Sequence, residues 1–197
     1  MHSNSLDDIV NSIRKGEPVV LVHKGTGGYA RRDGDLQIVP TPISTADGLD
    51  KHHAHYLRMD LGAQHKGNNL YTFESLQIDD AGHRVDTTPV MMSANPADIS
   101  GGIVWAPRKK IEDHPDDKEA KAQYWYVIPQ ECCGGYAILP YLDPVWALGL
   151  IDKSEKLPAC GRPVQTIYAV IPVLCLWDIV APKPDKECIR NDKIPQV

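Results

Sequence analysis

The sequence is poor in aromatic residues and lacks long apolar runs. It has one phenylalanine, and aromatic residues make up 7% of its 197 residues. No stretch approaches the roughly eighteen consecutive apolar residues that a membrane-spanning helix needs. The first ten residues, MHSNSLDDIV, also lack the basic start and apolar run of a secretory signal. We therefore expect a cytoplasmic protein, or an exported protein from which a signal has been removed.

Positive charge is scarce compared with negative charge. The chain has 21 Lys and Arg against 26 Asp and Glu, which gives a net charge of −5. A surface for nucleic acid or an anionic membrane needs clustered Lys and Arg. The one dense basic cluster, residues 108–110, is followed directly by acidic residues. We therefore expect neither nucleic acid nor a membrane as partner, and a small-molecule ligand or another protein instead.

The cysteines do not form the pattern of a disulfide framework. There are five, an odd number, and their spacing shows no paired motif. They are Cys132, Cys133, Cys160, Cys175 and Cys188. This usage is typical of reduced thiols in a reducing compartment. A single Cys160–Cys188 bridge is the alternative if the protein is exported.

Short runs of β-branched and aromatic residues dominate the chain. Many of these runs end at one of the sixteen prolines, and proline cannot donate to a central strand ladder. Asp33-Gly34 marks a hairpin turn between two such runs. We find no internal sequence repeat. The pattern predicts one mainly β domain over residues 1–197, either a β-sandwich or a small β-barrel.

Helical signals are few. An N-terminal helix is predicted because Leu6, Ile9, Val10 and Ile13 form one apolar stripe, with Ser5 as cap. Residues 116–123 and 144–153 are candidates for one or two further short helices. We expect the N-terminal helix to pack against the sheet.

A histidine cluster is the sharpest chemical feature. His52, His53 and His55 fall within four positions, and residues two apart on a strand share a face, as His53 and His55 do. Two imidazoles at that spacing can chelate one metal ion. Further ligands must come from elsewhere, and the available candidates are Asp60, His83 and His65. The leading hypothesis is a divalent transition metal, Fe, Mn or Zn, held by His53, His55, Asp60 and His83, acting as a Lewis acid or activating water or oxygen. In the alternative interpretation, the histidines are polar residues on an exposed strand face.

The residues around the cluster resemble the first motif of the cupins. Gly48 precedes His53-Ala-His55, four residues follow, and Asp60 stands where the cupin motif usually has Glu, with Gly62 soon after. The resemblance covers about fifteen residues. It departs from the family in the acid and in the glycine spacing, and the second cupin motif is absent. The resemblance implies a metal-binding β-barrel, and the sequence leaves open whether the protein is an enzyme.

Cys133 is a second chemical candidate. In "ECCGGYA" (131–137), Cys133 precedes Gly134-Gly135, which leaves room for backbone N–H groups to meet an oxyanion. The segment loosely resembles cysteine peptidases with a Cys-Ser-Gly-type start. It departs from them because no histidine follows His114. A Cys133-dependent thiol hydrolase is therefore a lesser alternative. In the other interpretation of this segment, its cysteines are buried and have a structural role.

Three consecutive aromatic residues suggest a binding surface. Tyr124, Trp125 and Tyr126 cannot all face inward from one strand, so at least one must meet solvent, a ligand or another chain. Together with the negative net charge, they support an alternative function. In this alternative the chain is a non-catalytic acidic interaction module, of the inhibitor or immunity type, which binds a protein through an exposed aromatic patch.

Overall fold

The computed structural model describes residues 18–40, 56–76, 88–131, 133–151, 156–157, 159–166 and 171–180. Thirteen strands lie in these ranges. They are β1 Val20–His23, β2 Tyr29–Asp33, β3 Asp35–Val39, β4 Tyr56–His65, β5 Asn68–Leu76, β6 Val90–Ala94, β7 Ile103–Pro107, β8 Trp125–Pro129, β9 Tyr136–Pro140, β10 Trp146–Gly149, β11 Ala159–Cys160, β12 Arg162–Gln165 and β13 Leu176–Val180. One α-helix, α1 Lys118–Lys121, and two 3₁₀ turns, Ile99–Gly101 and Val173–Cys175, complete the described elements. The mainly β class is confirmed.

Six of the described strands close into a ring. Their order around the ring is β1, β13, β9, β8, β5 and β4, and every neighbouring pair is antiparallel. The ring closes where the residue preceding β1 meets β4. There, Val19 and Leu57 exchange two backbone hydrogen bonds of 2.7 and 2.8 Å. Because the ring is closed, these six strands form a small barrel and leave no exposed edge among themselves.

The chain makes the barrel from three similar units. Each unit gives its first and last strand to the ring and places a hairpin between them: β2–β3, β6–β7 and β10–β12. The two-residue strand β11 adds to the edge of β3. Three four-stranded units around a six-stranded barrel, each with a capping hairpin, form the arrangement called a β-trefoil.

Strand register shows which positions correspond in the three units. One residue on the last barrel strand of each unit pairs in the same way. It faces one residue at the first strand of its own unit and one on the first strand of the next unit, and the three residues are Leu57, Trp125 and Trp177. The partner pairs are Val19 and Ser75, Tyr71 and Pro140, and Tyr136 and His23. Along the first strands, Val19 leads to His23, Tyr71 to Ser75 and Tyr136 to Pro140, always four positions on. Leu57, Trp125 and Trp177 are therefore equivalent.

The two equivalent tryptophans connect the barrel to the hairpins. The indole N–H of Trp125 donates to the Met92 carbonyl at 3.1 Å, and that of Trp177 donates to the Leu148 carbonyl at 2.8 Å. Both side chains are fully buried. The side chain of Leu57 has no N–H, so the first unit has no such side-chain bond from this position. Two of the three hairpins are thus held to the barrel by a buried hydrogen bond from the same position.

The helix predictions have mixed outcomes. The prediction of a helix over 144–153 is wrong, because residues 146–149 form β10 and pair with β12. Within 116–123, the helix is one short turn, α1, whose N-terminus is capped by the Asp117 carboxylate. The predicted N-terminal helix lies outside the described residues. In the described part of the chain, no helix is long and apolar enough to span a membrane.

His23 makes stability depend on pH. The buried ring donates from Nε2 to the Leu174 carbonyl at 2.7 Å, and Nδ1 lies 2.9 Å from Thr26 Oγ1. Burial lowers the pKa of His23 below its ordinary value of 6.5, although the bond to Leu174 opposes the shift. As the pH falls below 6.5, His23 therefore binds a proton more readily in the unfolded chain than in the folded chain. We expect the free energy of unfolding to fall as the pH drops below 6.5.

Urea titrations from pH 8 to pH 5, run on the parent and on His23→Gln, measure this effect. The free energy of unfolding should fall more steeply towards acid pH in the parent than in the variant. Equal slopes would show that the His23 proton does not contribute.

Candidate functional site

Most of the predicted metal ligands cannot be placed. His53, His55 and His83 lie outside the described residues, as does His52. Asp60 is described on β4, where its carboxylate lies 3.3 Å from the Arg58 guanidinium, so this ligand is engaged in an ion pair. Within the described ranges, no group of three or more His, Cys, Asp or Glu side chains is arranged to hold a metal. The metal site stays a prediction.

The aromatic run does not form the expected exposed patch. Trp125 is fully buried, and Tyr124 is 4% exposed. Tyr124 precedes β8, accepts a hydrogen bond from the Ile111 N–H at 3.1 Å, and packs over Gly62, where a Cβ added to the glycine would come 2.6 Å from its ring. Only Tyr126 in this run is half-exposed. Strand alternation and the neighbouring loop therefore bury two of the three residues, and the contact role of the run stays a prediction.

Cys133 lies exposed in the turn between β8 and β9. The two glycines that follow it both have positive φ, 65° and 81°, as the prediction of a tight turn requires. Lys24 crosses this turn and lies 3.6 Å from the Asp178 carboxylate. Cys175 differs, since burial raises the pKa of its thiol to about 11, which makes it a poor nucleophile. The catalytic role of Cys133 stays a prediction.

A cleft opens at the turn that joins the first unit to the second. Lys66 and Gly67 both have positive φ, 49° and 80°, which is the backbone of a tight two-residue hairpin between β4 and β5. The cleft has a volume of about 240 Å³. It is lined by Gly67, Asn68, Asn69, Tyr71, Tyr126, Val127 and Ile128. With the neighbouring His65 and Tyr141, we call it the tyrosine–histidine cleft.

Three rings from different parts of the chain meet beside this cleft. His65 Nδ1 lies 3.0 Å from the Tyr126 hydroxyl. The Tyr141 ring stands edge-on to both, at 5.1 Å from the His65 ring and 5.9 Å from the Tyr126 ring. Burial, and to a lesser degree Tyr141, raises the pKa of Tyr126, so its phenol stays neutral and able to donate at neutral pH. The cluster is aromatic and uncharged at Tyr126.

Amide groups stand on the other side of the cleft. The Gln64 amide donates to Asn69 Oδ1 at 3.0 Å, and Asn69 in turn lies 3.5 Å from the Tyr71 hydroxyl. Asn68 and Asn69 are exposed at the hairpin end. The described lining contains no carboxylate and no thiol. This set of groups is suited to hold a ligand by hydrogen bonds and ring contacts.

The sequence pattern indicates part of this cleft. Tyr126 is one of the predicted contact residues, and His65 is one of the available metal ligands. Tyr141 and the asparagine pair are not among the residues predicted from the sequence. The Lys66-Gly67 turn, followed by two asparagines, is the signal that could have directed attention to this end of the barrel.

Comparisons with known proteins add little. No protein-family model matches the chain, and no curated protein matches it. Among solved structures, it is similar to the Rhizoctonia solani agglutinin, with a TM-score of 0.40 and 12% identity over 84% of this chain and 95% of that one. At these values, the function has to be argued from the chain's own residues.

Proposed function

We propose that this protein binds a small, uncharged, hydroxyl-bearing ligand in the tyrosine–histidine cleft, and that a single sugar ring suits the cleft best. The carrying observation is the His65–Tyr126–Tyr141 ring cluster next to exposed asparagine amides. Aromatic rings offer apolar faces and edges to the C–H surface of a sugar. Amides supply both donors and acceptors for its hydroxyl groups.

Charge and size narrow the ligand class. The described lining carries no charged side chain that would pair with an ionic ligand. The volume of about 240 Å³ is below the ~300–1,000 Å³ of pockets for drug-sized molecules. A ligand of about one ring, or one ring at the end of a longer molecule, therefore matches this cleft better than an extended cofactor.

Paired tyrosine variants test the proposal by calorimetry. Methyl glycosides of glucose, galactose, mannose and N-acetylglucosamine serve as probes. Tyr126→Phe keeps the ring but removes the hydroxyl that holds His65, so we expect it to weaken binding by about three- to tenfold, the worth of one hydrogen bond. Tyr141→Phe keeps the ring edge that contacts His65 and is the matched control, with less than about a twofold change expected.

Two results would count against this function. If the parent protein binds none of the glycosides, the sugar proposal fails and the acidic interaction module becomes the better hypothesis. If binding occurs but Tyr126→Phe and Tyr141→Phe weaken it equally, the hydroxyl of Tyr126 does not shape the site.

The metal-holding barrel is a separate hypothesis that rests on the sequence alone. It predicts a near-stoichiometric transition metal in the untagged protein, lost in a His53→Ala/His55→Ala double variant. Elemental mass spectrometry on both proteins, after reconstitution with Fe, Mn and Zn, measures this directly. Absence of metal from the reconstituted parent would end the hypothesis.

A further inference from the structure

The three-unit register also relates residues of the capping hairpins. In the first unit, Val22 on the first barrel strand pairs with Tyr29 on the strand that follows it. The equivalent pair in the second unit is Glu74 and Met91. Ala30 and Met92 are therefore equivalent, and the matching tryptophan bonds make Leu148 the third member. All three are buried, with 1% exposure or less.

Two residues break this pattern of apolar equivalents. Two positions further along, Arg32 corresponds to Ala94 and Leu150, which are 0% and 1% exposed. On the partner strands, Trp105 corresponds to Ile38 and Pro163, since these face Met92, Ala30 and Leu148. A charged residue and an indole N–H thus occupy positions that the other units fill with buried apolar side chains.

Arg32 and Trp105 lie against each other between the first two hairpins. The Arg32 guanidinium carbon is 5.6 Å from the centre of the Trp105 ring. One terminal nitrogen of Arg32 and the Trp105 indole nitrogen are each buried and lack a hydrogen-bond partner in the described structure. Asp33, the acid next in sequence, is ion-paired with Arg31 at 3.9 Å, and its side chain is 58% exposed. Two buried donor nitrogens, one on each residue, therefore lack an acceptor in the described structure.

The chemistry of these donors defines what they would accept. A guanidinium and an indole N–H are donors only, so neither can satisfy the other. Buried polar atoms in native proteins nearly always have a partner. Arg32 and Trp105 are half-buried as whole side chains, so it is one nitrogen atom of each, and not the whole residue, that the described structure leaves without a partner. A negatively charged oxygen suits either donor, and guanidinium groups bind carboxylate and phosphate with good geometry.

We propose that Arg32 and Trp105 form a binding site for one oxyanion group, a carboxylate or a phosphate, between the first and second hairpins. The site is separate from the tyrosine–histidine cleft, which contains neither residue. Arg32 supplies the charge, and Trp105 supplies a second donor and a flat wall beside the guanidinium. The carrying feature is the juxtaposition of two buried unpartnered donors where the other units are apolar.

The indole N–H resonance of Trp105 reports on this site in ¹H–¹⁵N spectra. It is assigned by its disappearance in Trp105→Phe and then followed at constant ionic strength. Methyl phosphate and inorganic phosphate probe the phosphate class, and acetate and succinate probe the carboxylate class. We expect a saturable displacement with at least one class, and the class that displaces the resonance identifies the source of the anion.

Two arginine variants give the matched control. Arg32→Met keeps a long apolar stem and should weaken the titration at least tenfold. Arg31→Met removes an exposed arginine paired with Asp33 and should change it less than twofold. The same anions should raise the melting temperature of the parent and of Arg31→Met, but not that of Arg32→Met.

The proposal has clear contrary outcomes. If no anion displaces the Trp105 resonance, ordered water alone serves the two donors and the site does not exist. A displacement that is equally strong in Arg32→Met would overturn the role of the guanidinium. Glycoside binding in the tyrosine–histidine cleft should be unchanged in Arg32→Met, so failure of one proposal is distinguishable from failure of the other.

Discussion

Replacing Trp177 by alanine should lower the free energy of unfolding by about 3–5 kcal/mol. The side chain is fully buried, packs edge-on against His23 at 5.1 Å, and donates to the Leu148 carbonyl. Its removal leaves a cavity in the barrel and an unpaired carbonyl in the third hairpin. Urea denaturation followed by far-ultraviolet circular dichroism measures the loss, with the slope of the transition compared between variants.

The equivalent and the peripheral tryptophans are the controls for this prediction. Trp125→Ala should cost a similar amount, because Trp125 occupies the same position in the second unit and donates to Met92. The Trp146 side chain is half-buried, and its indole N–H donates to the nearby Asp143 carboxylate, so Trp146→Ala should lower the free energy of unfolding by about 1 kcal/mol. A loss of stability as small for Trp177→Ala as for Trp146→Ala would contradict the equivalence drawn from the register.

Gly149→Ala should destabilise the protein by at least about 3 kcal/mol. A Cβ on Gly149 would overlap the Leu174 carbonyl and come 2.7 Å from Cys175 Cα and 2.8 Å from its sulfur. The first two of these are backbone atoms of the segment that leads into β13, and they cannot turn aside as a side chain does. Thermal unfolding followed by calorimetry gives the size of the effect.

Gly101→Ala is the matched control. A Cβ at Gly101 has the flexible Asn95 amide as its nearest neighbour, at 3.1 Å, and this side chain can move. We expect a change of less than about 1 kcal/mol there. If Gly149→Ala is tolerated as well as Gly101→Ala, the close approach of β10 and the segment before β13 is not real.

The strands were predictable where the signal was local. The hairpin at Asp33-Gly34 is confirmed, with Gly34 at a φ of 71°. Residues 56–60 alternate as in a strand with one buried face, because Leu57 and Met59 are buried while Arg58 and Asp60 are half-buried, and the alternation ends at Leu61, which is exposed where the register shifts. In such segments, turn chemistry and side-chain period suffice, and no distant contact is needed to decide the structure.

The threefold organisation could not be found as a sequence repeat. Its equivalent positions share burial and register, not identity: leucine stands where the other units have tryptophan, and alanine where they have methionine and leucine. Many side chains of suitable volume satisfy one apolar position in a packed core. Only the hydrogen-bonded pairing between distant strands reveals the correspondence.

Residues 144–153 show how tertiary contacts override a local pattern. The apolar residues of "PVWALGLIDK" allow a helical period, but Trp146–Gly149 pair with a strand that begins at Arg162. Periodicity alone does not separate a short buried strand from a helix of this length.

The candidate cleft depended on contacts that no local pattern contains. His65 and Tyr126 are 61 positions apart and meet only because β4 and β8 both flank β5 in the barrel. The same long-range packing buries Trp125 and Tyr124 and leaves Tyr126 half-exposed, whereas the sequence pattern predicts only that at least one of the three is exposed. Residue type indicated the chemistry of Tyr126, whereas the barrel determined which of the three aromatic residues has access to solvent.

The most direct test of the proposed function is a map of the binding site in solution. Backbone amide shifts of the parent protein are followed during titration with the methyl glycoside that gives the strongest calorimetric signal. The proposal predicts that the largest shifts occur at His65, Asn69, Tyr126 and Tyr141, around the cleft. Shifts confined to another part of the barrel, or no shifts at saturating glycoside, would contradict it.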